Sequence, residues 1–117
     1  MKIKNDADVP EKILKDEDLQ DVTKKILIGT EDGSTNIIMR YFRVLPKGHT
    51  PFHSHEFEHV VRIEKGRGVI VNEAQEEIRV FPGQNVFVGG GEKHQFKNPY
   101  DKPFEFLCII MNPARSQ

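Results

Sequence analysis

Cysteine is nearly absent, with one residue, Cys108, in a chain of 117. A lone cysteine excludes an intrachain disulfide and a cysteine-rich zinc site. No apolar run approaches the ~20 residues of a membrane-spanning helix, so no membrane partner is expected. An excess of one charge sign is missing too. The 17 Lys and Arg nearly balance the 18 Asp and Glu, leaving a formal net charge of −1 and no basic cluster interleaved with aromatics. Nucleic acid is therefore not an expected partner. Residues 1–21 contain no apolar core of a secretory signal, which makes a cytoplasmic location the expectation. Low-complexity tracts and internal repeats are also lacking.

What remains suits one folded domain. Hydrophobic residues make up 37% and charged residues 30%, enough for a single core at this length but not for two. From Val22 onward, short β-type runs alternate with turn signals. The runs are Val22–Ile28, Ile37–Leu45, Phe57–Glu64, Arg67–Val71, Glu77–Phe81, Asn85–Val88 and Phe104–Met111. Between them lie Glu31-Asp32-Gly33-Ser34, Pro46-Lys47-Gly48, Gly66, Pro82-Gly83, Gly89-Gly90-Gly91 and Asn98-Pro99. β-branched and aromatic residues fill the runs, and no segment here sustains a helical period for three turns. The pattern predicts an all-β sandwich, jelly roll or barrel over residues 22–117. Residues 1–21 scatter Ile3, Val9, Ile13 and Leu14 among charges and read as an N-terminal arm.

Five histidines occur, and His53, His55 and His59 fall within seven residues. On one strand all three share parity with Phe57, Val61 and Ile63, while Ser54, Glu56, Glu58, Arg62 and Glu64 take the other face. A helix would group only His55 with His59, and Pro51, Val60-Val61 and Gly66 argue against one. Three uncoordinated imidazoles on an apolar face would be costly, because each buried ring has two nitrogens to satisfy and protonated neighbours repel. A divalent cation removes both costs. His94, after the Gly89-Gly90-Gly91 turn, is a plausible fourth ligand. His49, beside Gly48 in a turn, is not expected to join.

These residues resemble the two motifs of the cupin superfamily. The first runs from Gly48 through His53-Ser54-His55 to His59 and Gly66. The second runs from Gly83 through Gly89-Gly90-Gly91 to His94 and Asn98. Three departures stand out. Four rather than five residues separate Gly48 from His53, Gly89 replaces the usual proline, and His59 replaces the motif glutamate. Glu56 and Glu58 have the wrong parity to substitute for it. The chain is thus similar to small single-domain cupins with a four-histidine metal site, and Ile26-Leu27-Ile28-Gly29 and Phe104-Glu105-Phe106-Leu107-Cys108 strengthen that likeness. The resemblance implies a double-stranded β-helix (jelly-roll) barrel and one divalent transition metal (Mn, Fe, Cu, Zn or Ni) on His53, His55, His59 and His94. It also implies a small-molecule ligand or substrate and a homodimer.

Four neutral ligands would leave a divalent ion its full +2 charge and favour an anionic partner such as an enolate, catecholate or 2-oxo acid. Ligand type alone does not choose the metal. The leading expectation is a metal-dependent oxidoreductase of dioxygenase type acting on a small organic molecule. Phe57, Phe104, Phe106, Cys108 and Ile110 are the expected pocket lining. Cys108, among Leu107, Ile109 and Ile110, reads as a buried apolar residue rather than a reactive thiol. A sugar isomerase or epimerase is the first alternative, for which Tyr41, Arg40 and Arg43 are available without being singled out. A non-catalytic binding module is the second.

Overall fold

A computed structural model describes residues 1–113, so positions 114–117 of the expected barrel lie outside the described residues. Nine strands follow one another: β1 (Lys12–Ile13), β2 (Gln20–Ile28), β3 (Ile37–His49), β4 (His59–Lys65), β5 (Gly68–Val71), β6 (Glu77–Val80), β7 (Asn85–Val88), β8 (Gln95–Lys97) and β9 (Phe104–Met111). They pair antiparallel in the order β6-β5-β8-β3-β9-β4-β7, with β2 also on β3 and β1 on β2. The result is the expected all-β jelly roll. No helix among the described residues is long and apolar enough to cross a membrane.

Alternation builds the core. Along β9, Phe104, Phe106, Cys108 and Ile110 point inward and are buried, while Glu105, Leu107, Ile109 and Met111 point outward. Along β4, His59, Val61 and Ile63 are buried between the exposed Val60, Arg62 and Glu64. Register sets His59 opposite Ile110, Val61 opposite Cys108 and Ile63 opposite Phe106. Phe106 sits at the centre of an aromatic cluster, with ring centroids 4.3 Å from Phe96, 5.2 Å from Phe104 and 5.4 Å from Phe42. Aromatic contacts of this kind add to the stabilisation from buried area. On the outward face, register aligns Met39, Ile109, Val60 and Phe87 across β3, β9, β4 and β7.

The structure redraws several boundaries. Pro46-Lys47-Gly48 reads as a turn, yet β3 runs through it to His49. Lys47 takes φ 70°, and a Cβ on Gly48 would lie 2.6 Å from the Gln20 carbonyl oxygen. The strand therefore bends there without ending, and passes from pairing with β9 to pairing with β8. Asn98, 1% exposed, clamps the bend by donating from Nδ2 to the carbonyls of Val44 (2.9 Å) and Lys102 (2.7 Å). The arm also has a place of its own. β1 pairs with β2 of the same chain, Leu14 and Leu19 pack against the core, and β2 already begins at Gln20.

Candidate metal centre

The strand expected over Phe57–Glu64 starts only at His59, so parity along one strand does not group the three histidines. His53 is instead joined to His94 by an isolated antiparallel bridge, in which His53 N–H donates to His94 O (3.1 Å) and His94 N–H to His53 O (2.9 Å). The chain then turns through residues 54–58 before entering β4. That turn is held from the facing loop, where the Gly91 N–H donates to the His55 carbonyl at 2.6 Å. A Cβ on Gly90 would collide with the Glu56 carbonyl oxygen, so only glycine permits this approach. A loop, a bridge and a strand start thus bring together what a single strand was expected to align.

The four rings His53, His55, His59 and His94 all line one cavity of about 290 Å³. Ring centroids are 4.3 Å apart for His53–His55, 4.9 Å for His59–His94, 5.2 Å for His55–His59 and 5.4 Å for His53–His94. His55–His94 is wider at 6.1 Å. No three His, Cys, Asp or Glu side chains among the described residues already close into a metal cage. The imidazoles would therefore have to turn toward a shared ion. His49 stays apart, with Nδ1 3.1 Å from the Thr50 carbonyl.

The chemistry of this donor set fits a divalent cation. His94 Nδ1 lies 2.9 Å from the Glu92 carbonyl, which can only accept, so Nδ1 carries a proton and the neutral ring's tautomer leaves its lone pair at Nε2. His59 Nδ1 is buried without a hydrogen-bond partner, a costly state that calls for a further group. Burial, reinforced by neighbouring imidazoles and Arg40, lowers the pKa of His53, brings His55 down to about 4 and brings His59 down to about 3. These three rings are therefore neutral at pH 7, the form that ligates metals.

Of the expected pocket residues, Phe106 and Cys108 line this cavity. Phe104 is fully buried in the core. Phe57 and Ile110 line a separate outer hollow, although Phe57 stacks on His55 at 4.8 Å. Cys108 is 2% exposed, and burial raises its pKa despite Arg40 nearby. That protonated thiol is a poor nucleophile. Sequence reasoning did not single out Lys24 and Arg40, which line the cavity with Leu14, Leu19, Phe42 and Phe96. The signal was parity. Lys24 follows buried Val22 by two, and Arg40 stands between the partly buried Ile38 and Phe42, so each puts a cation into an otherwise apolar inward row.

Residues 40–110 match the Cupin domain family. The chain belongs to the cupin family. This cupin is 37% identical over 90 residues to the 1-methylthio-D-xylulose 5-phosphate methylsulfurylase of Rhodospirillum rubrum, a match covering 76% of this chain and 55% of that protein. The chain thus spans about half the length of that relative. Among solved structures, it superposes on the polyketide cyclase RemF from Streptomyces resistomycificus with a TM-score of 0.90 and 31% identity. That match covers 95% of this chain and 79% of the cyclase. A cupin-2 domain protein from Rhodospirillum rubrum gives 0.80 at 31% identity, covering 95% and 74%.

Proposed function

We propose that this cupin is a metal-dependent enzyme whose four-histidine centre binds and activates an enolisable oxo compound. The observation that carries the proposal is the composition of the cavity. Its polar lining comprises four imidazoles, two cations, Thr50 and one carboxylate, the exposed Asp16. When bound, a divalent ion would supply Lewis acidity for an enolate-like oxygen. His53, His55, His59 and His94 would hold it as neutral donors, so no protein carboxylate would offset its charge. Phe42, Phe96 and Phe106 supply an apolar wall that keeps water from the reacting carbons. The arm contributes as well, because Leu14 and Leu19 cover the same cavity. A volume near 290 Å³ suits a small molecule or one end of a larger one. The relatives support this reading, since a polyketide cyclase and a methylsulfurylase of a ketose phosphate both have names that imply carbonyl substrates.

The aromatic wall also favours the dioxygenase reading, since an apolar lining admits dioxygen beside an anionic substrate. Anaerobic incubation of metal-loaded protein with a β-diketone in D2O, followed by NMR, separates the two. Faster exchange of the α-protons without oxygen, abolished in His94→Ala, is the expected result. Substrate loss only in air, matched by oxygen uptake, would transfer the centre to oxygenase chemistry. Tight binding with neither outcome would mark a non-catalytic module.

A further inference from the structure

The inner wall of β2 and β3 carries two cations, and the one carboxylate that shares their cavity, the exposed Asp16, forms an ion pair with neither. Lys24 pairs with Phe42 across the β2–β3 ladder, and Arg40 lies diagonally beyond it on the same strand as Phe42. Both line the histidine cavity. Among the described residues, neither is within ion-pair reach of a carboxylate. Arg43 on the outward face of β3 provides the contrast, with Glu11 at 3.7 Å and Glu105 at 3.6 Å. The Arg40 guanidinium has only soft neighbours. One Nη donates to Cys108 Sγ at 3.1 Å, the carbon end lies 4.9 Å from the Phe42 ring centre, and the buried Nε has no partner.

Such an arrangement stores repulsion. Burial, then Arg40 and Lys12, hold the Lys24 ammonium below its usual pKa range, and Lys12 stands directly opposite Lys24 in the β1–β2 ladder. Like charges placed opposite one another destabilise a sheet. An arginine with a free edge in an apolar wall is also suited to an oxyanion, which its planar fork can engage through two hydrogen bonds. We propose that Lys24 and Arg40 form an anion subsite that holds a phosphate or carboxylate group of the substrate while its oxo end lies at the histidines. The subsite rests on the reading of the cavity given above, and it defines the substrate class as an oxo compound bearing an oxyanion group.

The test uses metal-free protein, so that added anions cannot ligate an ion. Inorganic phosphate and acetate are titrated separately into wild type, Lys24→Gln and Arg40→Gln, following backbone amide shifts by NMR, with metal uptake measured on the same samples. The expected result is saturable binding centred on β2 and β3, weakened about tenfold or more by either substitution, with metal uptake retained. Preference for phosphate would assign a phosphate ester and preference for acetate a carboxylate, and either upholds the subsite. Lys24 is only partly buried, so its variant keeps the test valid if Arg40→Gln fails to fold. Absence of saturable binding in wild type, or binding unchanged in the folded variants, would overturn the proposal. A wild type that takes up no metal would overturn the metal reading alone.

Discussion

The four imidazoles fall into two pairs that the fold holds by different means. His59 and His94 are 4% and 5% exposed, His59 opening β4 opposite Ile110 and Val88, His94 fixed through Nδ1 to the Glu92 carbonyl. His53 and His55 are only partly buried and ride on the segment between β3 and β4. Backbone contacts to the 89–94 loop restrain that segment: the His53–His94 bridge, the Gly91–His55 hydrogen bond and the close approach of Gly90 to Glu56. The first pair is buried against the barrel, while the second sits partly exposed on a segment held by backbone contacts.

The largest expected effect tests this division. His59→Ala or His94→Ala should lower metal affinity more than about 100-fold, beyond the 10–100-fold typical of losing a partner around a ligand. His55→Ala should cost less, since the loop can rearrange around a replacement water. Equal losses at all four positions, measured by competition with a chelator, would remove the distinction between the pairs.

A smaller effect is expected from Gly90→Ala, whose new methyl group must displace the Glu56 carbonyl. The shift moves His55 while leaving β4 and β8 in place. Metal affinity should fall roughly tenfold, the low end of such losses, with little change in melting temperature. A large drop in melting temperature would mean that the loop supports the core rather than the site.

The pH dependence of metal-free protein should be milder still. In the folded chain, burial brings His55 down to about 4 and His59 to about 3, whereas an unfolded histidine titrates near 6.5. Below pH ~6.5 the unfolded chain takes up protons that the folded one refuses. Stability is therefore full above that pH and declines as pH falls toward the folded values. Melting temperature should drop by several degrees between pH 7 and 5, and less so in His59→Gln than in wild type. An unchanged slope in His59→Gln would place the sensitive group elsewhere.

Much of this molecule was legible in its sequence. The alternation in Phe104–Met111 and His59–Ile63 read correctly because each strand has one buried face, which period 2 reports directly. The family was legible from two spaced motifs. The path of the chain through residues 53–58 was not. Parity placed three histidines on one strand, but the reciprocal hydrogen bonds between His53 and His94, 41 positions apart, instead create a bridge and a turn. Contacts at such separation leave no local periodicity to read. The bend within β3 was hidden for a related reason. Pro46-Lys47-Gly48 has turn chemistry, yet the Asn98 side chain and backbone engage Val44, Lys47 and Gly48, so the segment remains in the ladder. Lys24 and Arg40 were visible as cations of inward parity, but their lack of an ion-pair partner among the described residues exists only in three dimensions.

The most direct measurement is anomalous diffraction from crystals grown with saturating zinc or manganese. The expected result is a single anomalous peak in the cavity, within bonding distance of nitrogens of His53, His55, His59 and His94. A peak away from these rings, or one touching His53 and His55 but not His59 and His94, would contradict the four-histidine centre.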